Sequence, residues 1–395
     1  MKDRCKFFFL LLLCLAVFTP SLAQAAWQPT IAVGLLEGQT AVTFSAEGSD
    51  GKLIASAAGS RISSAPQNTM MTVSAGPGGL EVNGRSVPAD HLLLEASDTR
   101  KAAAFRTDLQ GRTYRGTMEF LLLHGQITVV NHVRVEDYVK GVIAKEMPPE
   151  WPAEAVKAQA VATRTFALKN RGRHKTRGYD LCTNTHCQVY EGVSGERPLA
   201  NQAVDATYGA VLEYQGRLID ALFHTDSGGM TENSEDVWGT KIPYLRAERE
   251  KAWGTQPWTK NIPANTLLSH FSRKGDIGEL KSVTLSRLTA PSAKGYAADR
   301  TASGRVRTLR LTGSKGTMTI RGNELRDAFG LRSTLFDVTL KNGSLLFSGY
   351  GWGHGLGLSQ WGAEAFAASG ESYAQILAHY YRGTERKQLY KKQEK

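Results

Sequence analysis

Val135-Glu136-Asp137-Tyr138-Val139-Lys140-Gly141-Val142-Ile143-Ala144-Lys145-Glu146-Met147-Pro148-Pro149-Glu150-Trp151-Pro152 is the stretch that decides the fold. Val135, Val139 and Val142 fall at i, i+4 and i+7, with Tyr138 and Ile143 beside them, which is the spacing of one buried helical face. Met147-Pro148-Pro149 cannot continue that pattern, so the helix is predicted to end at or near Glu146. Pro152 suits the first position of a second helix, running through Ala155, Ala158, Ala162 and Phe166 to about Asn170, with alanines that allow close packing. Just upstream, Tyr114, Gly116, Met118 and Phe120 alternate with Arg115, Thr117 and Glu119, and His124-Gly125 separates them from an apolar run at 127–130. That is a β-hairpin pattern, and a hairpin feeding two helices predicts an α+β fold.

The apolar face of the first helix reaches Glu146 at its next step, so a carboxylate stands where the pattern calls for an apolar side chain. It also stands at the helix C-terminus, where the negative end of the macrodipole and desolvation both disfavour ionisation. A carboxyl group kept protonated near neutral pH is what a general acid needs to donate to the oxygen leaving a glycosidic bond. The same spacing, rotated slightly, makes Glu146 a surface residue beside Lys145.

Further out, Lys2, Arg4 and Lys6 precede an apolar run from Phe7 to Phe18 and the small-residue segment Ala23-Gln24-Ala25, the pattern of a secretory signal peptide over 1–25. Leu13 before Cys14 argues against a lipoprotein, and no later run is long enough for a transmembrane segment in the mature chain. Export to periplasm or cell wall is the expectation. The 395 residues carry Lys+Arg 48 against Asp+Glu 37, a net charge of +11. Without residues 1–25 the charge is +9, from 45 basic and 36 acidic side chains. That excess attracts anionic polymers, and export argues against nucleic acid. Residues 26–111, rich in Gly and Ser with short alternating runs, read as a β-rich N-terminal domain, and 385–395 as a basic tail. Downstream of residue 280 the pattern returns to strands, including a hairpin turning on Asn342-Gly343, with 289–303 as a mobile insertion and a last amphipathic helix around Tyr373, Ile376, Leu377 and Tyr380.

Three further clusters bear chemistry. His174, Cys182, His186 and Cys187 hold the only cysteines after the leader. Two Cys and two His suffice for a tetrahedral zinc site, while export makes a Cys182–Cys187 disulfide the competing reading. Asp226-Ser227-Gly228-Gly229, with His224 nearby, resembles a serine-protease nucleophile segment, but a tetrapeptide match is weak, and a tight glycine turn is the better reading. Tyr350-Gly351-Trp352-Gly353-His354-Gly355-Leu356-Gly357 lacks the lysine and βαβ context of a nucleotide loop. Its glycines admit close backbone approach, and Trp352, Trp361 and His354 offer faces suited to a sugar or to packing.

Taken together, the segment 135–165, His224 to Gly229, Val237-Trp238-Gly239 with Pro243-Tyr244-Leu245, Gly353-His354-Gly355-Leu356-Gly357-Leu358-Ser359-Gln360-Trp361-Gly362-Ala363, and His379-Tyr380-Tyr381-Arg382-Gly383-Thr384 resemble the SpoIID sporulation family, which includes amidase-enhancer proteins. The resemblance spans about 112–384 in the right order and implies a mixed α+β catalytic region there.

It also implies a lytic transglycosylase acting on peptidoglycan glycan strands stripped of their stem peptides by an N-acetylmuramoyl-L-alanine amidase. The family's catalytic glutamate maps onto Glu146. Its chemistry cleaves between N-acetylmuramic acid and N-acetylglucosamine with attack by the muramic 6-hydroxyl, giving a 1,6-anhydro end and needing no catalytic cofactor. Substrate contacts are expected from Gln159, Arg164, Ser227, His354, Ser359 and Gln360. Some clostridial members hold a structural zinc on two Cys and two His in the matching loop; His186-Cys187 agrees with them, and the spacing from Cys182 differs slightly. A non-catalytic glycan binder that stimulates a partner amidase is the alternative.

Overall fold

The computed structural model describes residues 28–47, 53–66, 69–96, 104–107, 111–290 and 296–392. The leader at 1–25 lies outside them. The hairpin forms as expected: Thr117–Leu123 pairs with Gln126–Arg134, and His124 and Gly125 take φ of 52° and 76° at the turn. Two successive left-handed residues match the right-handed twist of the flanking strands. Thr30–Gln39 pairs with the other edge of Gln126–Arg134, and the seven-stranded sheet continues from Thr117–Leu123 through His91–Ala96 to Leu53–Ala57 and Ser60–Ala65. Strands from both sides of residue 111 therefore share this sheet. They also share one apolar core, in which Phe44 meets Phe120 edge-on at 5.1 Å.

Helix α1 (Val135–Glu146) leaves the last hairpin strand without a break and buries Val135, Tyr138, Val139, Val142 and Ile143. Helix α2 (Ala153–Lys169) is central: from Ala155 to Leu168 every residue but Lys157 is buried, which its alanines make room for. Helices α3 (Pro198–Ala206), α4 (Ser234–Trp238), α5 (Ala264–His270), α6 (Gly322–Phe329), α7 (Gln360–Ala368) and α8 (Tyr373–Tyr380) follow, and α3, α7 and α8 pack on α2. Glu385–Gln388, the start of the basic tail, pairs with Ala210–Tyr214.

The segment 258–347 has its own core around Leu267, Leu309, Phe336 and Phe347 and two three-stranded sheets. Its hairpin turns on Asn342 and Gly343 as expected, with φ of 49° and 69°. Helix α6 interrupts the strands expected there. Its start is set by Glu324, whose carboxylate accepts from the Arg321 N–H at 2.9 Å, and its end by the left-handed Gly330. The insertion expected to be mobile is corrected in part: 291–295 lie outside the described residues, but beyond them Asp299 accepts from Ser286 N–H and O–H at 2.7 and 2.6 Å, and Arg300 pairs with Asp337 at 2.5 Å. No helix among the described residues is long and apolar enough to cross a membrane.

Candidate active site and metal centre

Helix α1 stops at Glu146 because Met147 turns extended, φ −143° and ψ 136°, ahead of two prolines. The half-buried carboxyl accepts from the Val189 N–H at 2.9 Å, and the Gln360 side chain bonds it as well. Burial pushes this carboxyl above its ordinary range; the two hydrogen bonds favour the charged form and offset only part of that. Val189 is itself held on both sides. Tyr138 Oη donates to Gln188 Oε1 at 2.9 Å, Tyr190 Oη donates to Asn131 Oδ1 at 2.8 Å, and the two tyrosine rings stack at 5.0 Å.

Gln360 arrives from the far end of the chain. Leu358–Ser359 pairs in parallel with Phe223–His224, and Ser359 Oγ caps α7 by accepting from the Gly362 N–H at 3.2 Å. Trp361 follows, 40% exposed, with its ring edge-on to Trp151 at 4.8 Å. The two indoles together form an aromatic surface suited to the faces of a sugar.

Next to Trp361 lies a cavity of ≈ 260 Å³ lined by Asp226, Glu250, Thr255 and Glu364. Asp226 Oδ1 accepts from Thr255 Oγ1 at 2.8 Å and from the Gly228 N–H at 2.5 Å, while its buried Oδ2 has no partner. Tyr380 Oη donates to Glu250 at 2.9 Å. Desolvation pushes the Glu250 carboxyl from 4.5 up to about 7, against hydrogen bonds from Ser227, Ser359 and Tyr380 and with the help of Asp226. A folded-state pKa above the unfolded one means that this group's stabilising contribution is complete below about 4.5 and is lost as pH rises through about 7. Thermal melting of Glu250→Gln is therefore expected to decline less between pH 5 and 8 than that of the parent; parallel profiles would refute it.

The remaining residues expected to touch substrate divide. Gln360 reaches Glu146. Ser227 and Ser359 are both fully buried, with Ser227 N–H donating to Ser359 Oγ at 3.2 Å and Gly229 N–H to Ser227 Oγ at 2.9 Å. Those bonds also occupy the glycine-turn N–H groups. His354 is half-buried beside His224, its ring pushed down to about 4 by desolvation and by Arg326 and Arg305, and its Nδ1 accepts from the Leu356 N–H at 2.9 Å.

Two expectations are corrected. Gln159 is wholly buried and bonds Thr163 Oγ1 at 3.2 Å. Arg164, also wholly buried, grips Glu136 through two contacts of 2.7 Å and reaches the Ala210 carbonyl at 3.1 Å. Both point into packed structure because α2 is enclosed on every side. Val189 and Glu250 were not foreseen: a backbone N–H has no side-chain signature, and Glu250 stands outside every motif.

In the loop after α2, the ligand atoms of His174, Cys182, His186 and Cys187 all lie within 4.8 Å of one another. Asp180 ties this loop to the sheet by accepting from the Gly172 and Ala32 N–H groups at 2.7 and 2.9 Å, and Cys182 aligns with Gly34 across a parallel pairing. Both cysteines are free thiols. His174 Nε2 is 3.4 Å from Cys187 Sγ, and His186 Nδ1 is 3.6 and 3.7 Å from the two sulfurs. Tetrahedral zinc with Zn–S of about 2.3 Å and Zn–N of about 2.0–2.1 Å requires N···S separations of roughly 3.5 Å, so the donor set fits that ion.

Residues 123–214 match the family model described as Stage II sporulation protein, SpoIID, and 250–357 match one described as a Domain of unknown function (DUF8618). The chain is 33% identical over 271 residues to Stage II sporulation protein D of Bacillus amyloliquefaciens, covering 65% of this chain and 75% of that one. It is 32% identical over 338 residues to an uncharacterized protein of Brachyspira hyodysenteriae, covering 82% and 84%. Similarity to the Amidase enhancer of Bacillus subtilis is 31% over 321 residues, covering 71% of this chain and 44% of that protein.

Proposed function

This chain belongs to the SpoIID family, and on that premise we propose that it is an exported peptidoglycan lytic transglycosylase of the periplasm or cell wall, acting in wall remodelling or sporulation. The observation that carries the proposal is Glu146: a single carboxyl, kept toward its protonated form by burial and oriented by Val189 and Gln360, on the two segments that also carry the Trp151–Trp361 pair. The carboxyl donates its proton to the oxygen between N-acetylmuramic acid and N-acetylglucosamine as the bond to muramic C1 breaks. The muramic 6-hydroxyl then closes on C1 and returns its proton to the carboxylate. One residue thus serves as acid and base, whereas hydrolysis with activated water uses a pair. Mass spectrometry of denuded strands incubated with the purified protein tests this: 1,6-anhydromuramic ends support it, and reducing ends overturn it in favour of hydrolysis.

Similarity to an amidase enhancer favours one other reading, a glycan binder that stimulates an amidase without turnover. Intact strand binding with no product from the wild type selects it.

We also propose a structural zinc held by His174, Cys182, His186 and Cys187, which pins the loop that carries Val189. Elemental analysis is expected to find one zinc per chain, and chelation to lower the melting temperature by about 5 °C or more. Metal-free protein that melts unchanged, or thiols found oxidised on titration in denaturant, would refute it.

A further inference from the structure

A larger cavity of ≈ 580 Å³ lies in the segment matched to the domain of unknown function, and the mechanism above does not use it. Trp253, Trp258, Tyr350, Thr259, Arg287 and Asp337 are among its lining residues. Its size falls within the roughly 300–1,000 Å³ of small-ligand sites, and its walls combine aromatic rings with a few polar groups. Trp258 is anchored through Nε1 to Ser333 Oγ at 3.3 Å. Glycines back the other two rings: a Cβ at Gly229 would come within 2.8 Å of the Trp253 ring, and one at Gly254 within 3.4 Å of the Tyr350 ring.

The charges are unequally committed. Asp337 Oδ1 already accepts from the Leu288 N–H at 2.8 Å and pairs with Arg300 at 2.5 Å. Arg287 is exposed and, among the described residues, has no carboxylate partner. The cavity therefore offers aromatic faces and one uncommitted guanidinium, a combination suited to a sugar bearing a carboxylate. One segment lines both this cavity and the one beside Trp361: residues 250–252, 255 and 256 face that one, and 253 and 257–259 face this one.

Hydrolysis of the amide that joins a stem peptide to muramic acid leaves a lactyl carboxylate on the sugar, so a denuded strand carries one anion per disaccharide where a peptide-bearing strand carries an amide. We propose that this cavity is an accessory subsite for a muramic residue with a free lactyl carboxylate, and that Arg287 distinguishes denuded from peptide-bearing strands. The proposal rests on the glycan reading above.

The test uses full-length Glu146→Gln protein, which binds without turnover, titrated with denuded strands and with the same strands after conversion of their carboxylates to primary amides. Denuded strands are expected to bind about five- to tenfold more tightly than amidated ones. Arg287→Ala should bind the two equally, at the weaker affinity, and Arg287→Lys should restore part of the difference. Equal affinity of the parent for both strands, or unchanged discrimination in Arg287→Ala, overturns the subsite. If wild-type protein meanwhile cleaves denuded strands, the transglycosylase reading stands without it; if the wild type neither binds nor cleaves them, that reading falls and the subsite with it.

Discussion

Glu146→Gln is expected to lower the rate of anhydromuramic-end formation by about 10³-fold while leaving strand affinity within about twofold of wild type. The amide preserves the shape of the side chain and an oxygen for the Val189 N–H, so the loop stays in place. What is lost is the proton that moves to the glycosidic oxygen and returns from the 6-hydroxyl. Loss of binding in step with activity would mean that Glu146 holds the strand and does not act on it. Retained activity would remove Glu146 from the chemistry altogether.

The pH profile carries the same argument. Burial raises the Glu146 pKa, so the protonated acid persists above the ordinary carboxylate range, and kcat is expected to fall as pH rises through that raised value. Gln360→Ala removes a hydrogen bond that favours the charged form and should move this limb to higher pH. A limb that stays where it was would show that Gln360 does not set the acidity of Glu146.

Much of this site was readable from local pattern. The end of α1 follows from two prolines, and the inward position of Glu146 follows from helical spacing, because both depend on residues within one or two turns. The partners of Glu146 were harder to read. Val189 contributes a backbone N–H, and Gln360 stands 214 positions away in sequence, joined to the site by the short parallel pairing of Leu358–Ser359 with Phe223–His224. Helix α6 was hidden because Gly322 opens it and its apolar stripe is only two turns long. Arg164 shows the converse error. A cation inside a motif looks the same whether its partner is a ligand or a carboxylate on another helix, and only the enclosure of α2 tells them apart.

Arg164→Ala is accordingly expected to cost about 3–5 kcal/mol of folding stability, with little effect on strand affinity in whatever fraction remains folded. Arg164 and Glu136 have side-chain exposures of 0% and 4%, so removing the guanidinium leaves a carboxylate with no cation and no water. That carboxylate also accepts from the Gly209 N–H at 3.0 Å and from Tyr390 Oη at 2.6 Å. The pair thus ties α1 and α2 to the end of α3 and to the C-terminal strand, and its loss should loosen all four together. Denaturant unfolding measures the cost. The double substitution Arg164→Met with Glu136→Gln should recover part of it, because it removes both buried charges, whereas a ligand-binding arginine would show no such recovery. A stable Arg164→Ala protein with a raised KM would return Arg164 to the substrate groove and show that the ion pair of the folded chain gives way to the glycan.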